Sequence, residues 1–141
     1  MDGHELMQIG EVAERTGLSL RTIRYYEEVG LVVPSARSQG GFRLYTDPDV
    51  QRLLTIKRMK PLELTLEQMR ELLDILDRLA AGTPLGKRER TRLAGMLRGY
   101  RDTIQGRCEA LREQLATAEA FDTTLADHLD VLAPEPATAH S

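Results

Sequence analysis

Cysteine is almost absent from this 141-residue chain. Cys108 stands alone, which excludes an internal disulfide framework and any iron–sulfur cluster held by several thiolates. Long apolar runs are also missing, and none approaches the roughly 20 residues of a membrane span. The first residues, Met1 to Met7, contain Asp2 and Glu5 and lack the apolar core of a signal peptide, so a cytoplasmic protein with no membrane partner is expected. No Ser/His/Asp set, carboxylate pair or glycine-rich phosphate loop can be found, which argues against an enzyme and against a bound cofactor. There is no pair of soft ligands at metal-like spacing. Asp127, His128 and Asp130 lie close together, but that cluster reads as a solvated polar face rather than a metal site.

What is present is an uneven distribution of charge. The net charge of -3 is opposite to what a polyanion partner wants. Yet residues 15–60 hold nine Lys or Arg against four Asp or Glu, while residues 1–14 and 61–141 are each acidic. Positive charge is gathered in one segment, where contact with phosphate would need it. Short segments fluctuate by a few charges in any case, so charge alone does not decide.

The hydrophobic periodicity predicts a mostly helical fold. Residues 8–16 read as a short helix with Ile9, Val12 and Ala13 on one face and Gly17 at its end. Ser19 is placed to cap a second helix from Leu20 to about Glu28, closed by Gly30. Two short helices around a Gly-containing turn form a helix-turn-helix. Val32-Val33-Pro34 continues in extended form. Gly40-Gly41 then turns a small hairpin between Ala36-Arg37 and Phe42-Arg43-Leu44-Tyr45. Thr46 or Asp47 caps a third helix running to Pro61. Thr65 and Gln68 form a capping box for a fourth, with Leu66, Met69, Leu72, Leu73 and Leu76 on its buried side. A linker follows over residues 78–86, with Gly82-Thr83-Pro84 at its centre.

A long helix is predicted from Lys87 to Thr123. Its apolar residues Leu93, Leu97, Tyr100, Ile104, Cys108, Leu111, Leu115 and Ala118 recur at steps of three and four. That is a heptad seam with one four-residue stutter. An isolated helix has nowhere to bury such a stripe, so a second copy of the chain is the simplest partner; packing on the chain's own head is the alternative. Cys108 lies on the seam just past the helix midpoint. It reads either as a small buried hydrophobe or as an oxidation-sensitive intersubunit disulfide. Residues 124–141 are expected to be a short terminal segment, partly disordered from Ala133 onward.

The second helix reads Leu20-Arg21-Thr22-Ile23-Arg24-Tyr25-Tyr26-Glu27-Glu28. Ile23 should point into the core, while Arg21, Arg24 and Tyr25 share another face. Arginines near a helix N-terminus suit the major groove, because a guanidinium can grip guanine in two places. The bland reading is that Arg21 and Arg24 pair with Glu28 or Glu27, and that Tyr26 is partly core. Thr22-Ile23-Arg24-Tyr25-Tyr26-Glu27 followed by Gly30-Leu31 resembles the recognition helix of the mercury-resistance-regulator (MerR) family. The wing Gly41-Phe42-Arg43-Leu44-Tyr45, the opening Ile9-Gly10-Glu11-Val12-Ala13 and the later Thr65-Leu66-Glu67-Gln68-Met69 fall in the same order as in that family.

The resemblance covers residues 7–77 and implies a winged helix-turn-helix reading head joined to an antiparallel coiled-coil dimerisation helix. It implies a homodimer that binds an inverted repeat in double-stranded promoter DNA and distorts the duplex, with RNA polymerase as a further partner. It places Arg21, Thr22 and Arg24 at bases or backbone and Tyr25 and Tyr26 near phosphate. Arg37, Arg43 and Tyr45 fall on the wing, and Lys60 falls at a position that touches phosphate. Metal-binding relatives place cysteines at both ends of the long helix, and this chain has none there. Some 18 residues follow Thr123, so the further domain of drug-sensing relatives is not expected. The chain departs from the family at Pro61, where a glycine is usual; proline cannot continue the helical hydrogen bonds and should alter the angle that follows. An excisionase-like architectural protein and a protein-binding adaptor are the alternative readings.

Overall fold

The computed structural model describes residues 6–134. Its elements are β1 (Met7–Gln8), α1 (Ile9–Thr16), α2 (Leu20–Glu28), β2 (Ala36–Arg37), β3 (Arg43–Tyr45), α3 (Asp47–Met59), a 3₁₀ turn (Lys60–Leu62), α4 (Leu66–Ala80) and α5 (Lys87–Leu132). The chain divides into two compact units at the Leu97–Arg98 junction.

In the first unit, α1 ends because Gly17 adopts a left-handed conformation (φ 74°) that its missing Cβ allows. The turn to α2 is tied from both sides. The Thr16 hydroxyl donates to Val12 O at 2.8 Å and accepts from the Leu18 amide at 3.2 Å, while Lys57 Nζ donates to Thr16 O at 2.8 Å. Ser19 caps α2, its hydroxyl accepting from the Thr22 amide at 3.1 Å. Beneath the two helices lies a core of Val12, Ile23, Tyr26, Leu31, Val32, Tyr45, Val50, Leu53 and Ile56.

β3 is the centre of a three-stranded antiparallel sheet in the order β1-β3-β2. The expected hairpin pairs Arg37 with Arg43 and Ala36 with Leu44. Strand β1 was not legible: two residues carry no alternation, and only the tertiary fold brings Met7 opposite Tyr45. Gly41, at φ 85°, makes the wing turn, with the Ser38 amide donating to Phe42 O at 2.8 Å.

Thr46 begins α3, and its amide donates to Asp49 Oδ2 at 2.9 Å. At the far end Pro61 sits in the 3₁₀ turn, and the chain reverses through Glu63 at φ 59°. A residue with a Cβ therefore occupies the left-handed region that glycine usually fills. The Thr65–Gln68 capping box is present at 2.9 and 3.0 Å. The buried side of α4 is Met69, Leu72, Leu73 and Ile75; Leu66 and Leu76, expected inside, are exposed. Ile75 is buried instead, beside a groove of about 430 Å³ that it lines together with Leu93 and Met96 from the first turns of α5. Leu93 is buried in this unit. The start of the expected seam therefore packs on the head, as the alternative reading of the stripe allowed, and the stripe available to a partner begins later.

Two further bounds differ from expectation. Helix α4 runs to Ala80, which shortens the connection to residues 81–86. Helix α5 runs nine residues past Thr123, to Leu132. Nothing in that stretch stops a helix before Pro134. Thr123 and Thr124 turn their hydroxyls back to Glu119 O and Ala120 O at 3.1 and 3.2 Å, an arrangement a helix tolerates. The tail expected to be disordered lies, from residue 135 onward, outside the described residues.

The second unit, taken by itself, is the remainder of α5. Tyr100, Ile104, Cys108 and Leu111 are half-buried along it, while Leu115 and Ala118 are exposed. Leu125 and Leu129, also exposed, extend the stripe beyond Ala118. Gly99 and Gly106 lie on the opposite face, and a Cβ added at either meets nothing within 4 Å.

Candidate nucleic-acid interface

The α2 helix buries Ile23 and Tyr26 and turns Arg21, Arg24 and Tyr25 outward. Tyr25 is 46% exposed. Among the described residues neither Arg21 nor Arg24 has an ion-pair partner, so the pairing with Glu27 or Glu28 allowed by the sequence is not formed. Thr22 is half-buried, with its hydroxyl hydrogen-bonded to that of Ser19 at 2.9 Å. A shallow groove of about 340 Å³ separates α2 from the wing. Arg24, Glu27, Glu28, Val33, Arg37 and Arg43 line it, so three of the arginines singled out from sequence meet across one concavity.

Tyr45 requires correction. Tyr45 is fully buried and its hydroxyl donates to Glu27 Oε2 at 2.7 Å. It supports the wing from beneath and presents no surface to DNA. Burial, then the hydrogen bond to the Glu27 carboxylate, push its hydroxyl well above the usual tyrosine range. Tyr26 is also buried, and burial raises its hydroxyl too, with the neighbouring Tyr25 adding to the effect. The two rings sit 5.8 Å apart at 53°. The Tyr26 ring packs in the core, as the bland reading of the sequence allowed, and Tyr25 faces solvent.

Glu27 was missed as a functional residue. It accepts from Tyr45 and forms an ion pair with Arg43 Nε, tying α2 to β3. Its place in the motif was visible, but its partners come from 16 and 18 residues away, and spacing of that kind carries no periodic signal. Lys60 is exposed at the end of α3 and does not line the α2–wing groove.

The basic segment is only partly free for phosphate. Arg15 pairs with Glu11 and Asp47 at 2.8 and 3.1 Å. Arg52 donates to Leu31 O at 2.5 Å and pairs with Asp77 at 2.6 Å. Lys57 is committed to Thr16 O. These three cations hold helices together; Arg21, Arg24, Arg37, Arg58 and Lys60 are the exposed remainder. At the other end of the head, Glu89 bridges Arg92 and Arg78. Those hydrogen bonds, Arg92 first, hold its carboxyl down at about 2. Among the described residues no three His, Cys, Asp or Glu side chains converge as metal ligands.

Residues 7–75 match the family model of the MerR HTH family regulatory protein. The chain belongs to the MerR family. The mercuric resistance operon regulatory protein of Bacillus cereus is 44% identical over 71 residues, covering 50% of this chain and 54% of the relative. The chain thus spans about half the length of the curated MerR relatives it matches. A transcription regulator of Ralstonia metallidurans, solved with lead(II), is 34% identical with a TM-score of 0.51, over 81% of this chain and 86% of that one. A MerR family regulator lacking the sensor domain, solved on promoter DNA, shares the fold at a TM-score of 0.63 and 19% identity, over 91% and 95% of the two chains. The MerR architecture of a small winged head followed by a long helix is the one seen here. No helix among the described residues is long and apolar enough to cross a membrane.

Proposed function

We propose that this protein is a sequence-specific transcription regulator, which binds an inverted repeat in a promoter as a homodimer and distorts the duplex to control initiation. The observation that carries this reading is the outward face of α2. Arg21, Arg24 and Tyr25 project from the helix that follows the tight turn, and Arg37 and Arg43 face Arg24 across the groove beside it. That geometry suits a helix in the major groove with a wing on the adjacent backbone. In this reading Arg21, Thr22 and Arg24 serve the bases and nearby phosphates, Tyr25, Arg37 and Arg43 grip the backbone, and Lys60 adds a contact outside the groove.

Dimerisation is supported by the stripe Tyr100, Ile104, Cys108, Leu111, Leu115 and Ala118, continued by Leu125 and Leu129, which the second unit does not bury by itself. An antiparallel pairing of two such helices sets two heads at a fixed separation. RNA polymerase is the partner on which the distorted promoter acts, and the cytoplasm is where a bacterial-type promoter is met. The test is to sequence the genomic fragments that the full chain captures. A palindrome within an overlong promoter spacer is expected, and capture without any shared inverted repeat counts against the reading. Arg24→Ala together with Arg43→Ala should abolish capture; full capture by that double variant assigns recognition to another surface.

A further inference from the structure

Arg43 Nε is buried and makes no hydrogen bond, but it forms an ion pair with Glu27 Oε1; the Arg43 side chain as a whole is 40% exposed and that of Glu27 is 9% exposed. The inner nitrogen of the guanidinium is therefore held by a nearly buried carboxylate, and the outer edge faces the groove shared with Arg24 and Arg37. Glu27 is itself fixed by the Tyr45 hydroxyl at 2.7 Å, so the inner end of the chain of contacts rests in the core. Pulling Arg43 away would leave a desolvated carboxylate with one oxygen unmatched, which is unfavourable. Three arginines around one groove also repel one another, and Glu27 and Glu28, which line it with them, offset that repulsion.

We infer that Glu27 is a positioning residue for DNA binding, anchoring Arg43 by its Nε so that the two outer nitrogens are presented to a backbone phosphate. The inference rests on the DNA-binding reading above and deepens it. It makes a prediction opposite in sign to simple electrostatics. Removing a negative charge from a face that meets DNA ordinarily tightens binding; here, removing Glu27 weakens it, because the arginine loses its preset orientation.

The experiment uses the full chain and a mixed-sequence DNA duplex, with affinity read by fluorescence anisotropy over a sodium chloride series. Glu27→Met is expected to weaken binding on the order of fivefold per head and to flatten the slope of log K against log salt by about 0.9, the value of one neutralised phosphate. Glu27→Gln, which keeps a single acceptor oxygen for Tyr45 or Arg43 and loses the charge, should fall between it and the wild type. In an Arg43→Ala background neither change should weaken binding. Tightening by Glu27→Met with Arg43 present overturns the inference, and so does an equal weakening in both backgrounds, which would make Glu27 merely structural. A wild-type chain that ignores the duplex at low salt refutes the DNA-binding reading itself, and the inference with it. A second measurement needs no variant. The Arg43 Nε–H should exchange slowly with solvent in the free protein and stay protected on adding the duplex; loss of that protection means Arg43 leaves Glu27 to bind.

Discussion

Tyr45→Phe isolates one oxygen atom at the junction between the recognition helix and the wing. The ring is fully buried, so the substitution leaves the packing of the aromatic face intact and deletes only the donor to Glu27 Oε2. A hydrogen bond to a charged group contributes about 1.5–3 kcal/mol. The Glu27 carboxylate keeps its Arg43 partner, so the lower half of that range, about 2 kcal/mol, is the expected loss. For a domain the size of this head, each kcal/mol moves the melting midpoint by roughly 4–8 °C, so a fall of about 10 °C is expected. Circular-dichroism melts at matched protein concentration measure it; matching matters because the proposed association would contribute to the midpoint. The pH dependence supplies a second signature. The folded state holds the Tyr45 proton above its ordinary titration range, so the stabilisation is complete below about pH 10 and is lost as pH rises beyond it. The wild-type advantage over Tyr45→Phe should therefore shrink in alkaline buffer. A change under about 0.5 kcal/mol at neutral pH, or a difference that holds constant through pH 11, refutes the argument that this hydroxyl joins helix to wing.

Other perturbations test other joints. Thr65→Ala removes the acceptor for the Gln68 amide at the start of α4 and should lower stability by about 1 kcal/mol in chemical denaturation. Glu63→Gly relieves a left-handed backbone and should raise the unfolding free energy by up to about 1 kcal/mol once the entropy of glycine is set against the strain; a lower value would show that the Glu63 side chain matters more than its backbone. Acid should loosen the junction between α4 and α5. Glu89 is held down at about 2 by Arg92 and Arg78, so its contribution is present above about pH 4.5 and is lost as pH falls toward 2; Glu89→Gln should flatten that part of the stability profile. Gly99→Ala and Gly106→Ala fall opposite the seam in open space, so each should stabilise α5 by about 1 kcal/mol. A fall in the stability of the proposed dimer in either variant would put its partner helix on the glycine face instead.

Much of the local structure could be read from residues a few positions apart. Ser19, Gly17, Thr65 with Gln68 and the Gly40-Gly41 turn mark their element boundaries because capping and turn formation depend on neighbouring backbone groups. Ile23 inside with Arg21, Arg24 and Tyr25 outside follows from helical spacing, and these residues were legible as a face before any fold was known. Tyr45 lies on the wing as the resemblance implied, but the sheet turns its side chain inward over the core. Helix α5 continues past the expected end at Thr123 to Leu132, and the hydroxyls of Thr123 and Thr124 fold back on the helix.

By itself, then, the sequence determined the two short helices and their turn, the basic wing, the long apolar stripe and membership of the MerR family, all of which rest on local spacing and ordered motifs. The tertiary structure alone decided which cations are free and which are committed to holding helices together. It paired β1 with β3, drew Leu93 into the head and away from the seam, and set Glu27 between Tyr45 and Arg43. Those outcomes depend on which distant side chains and backbone carbonyls come within bonding distance, and on how much water is removed around them. Neither quantity has a period that can be read along the chain.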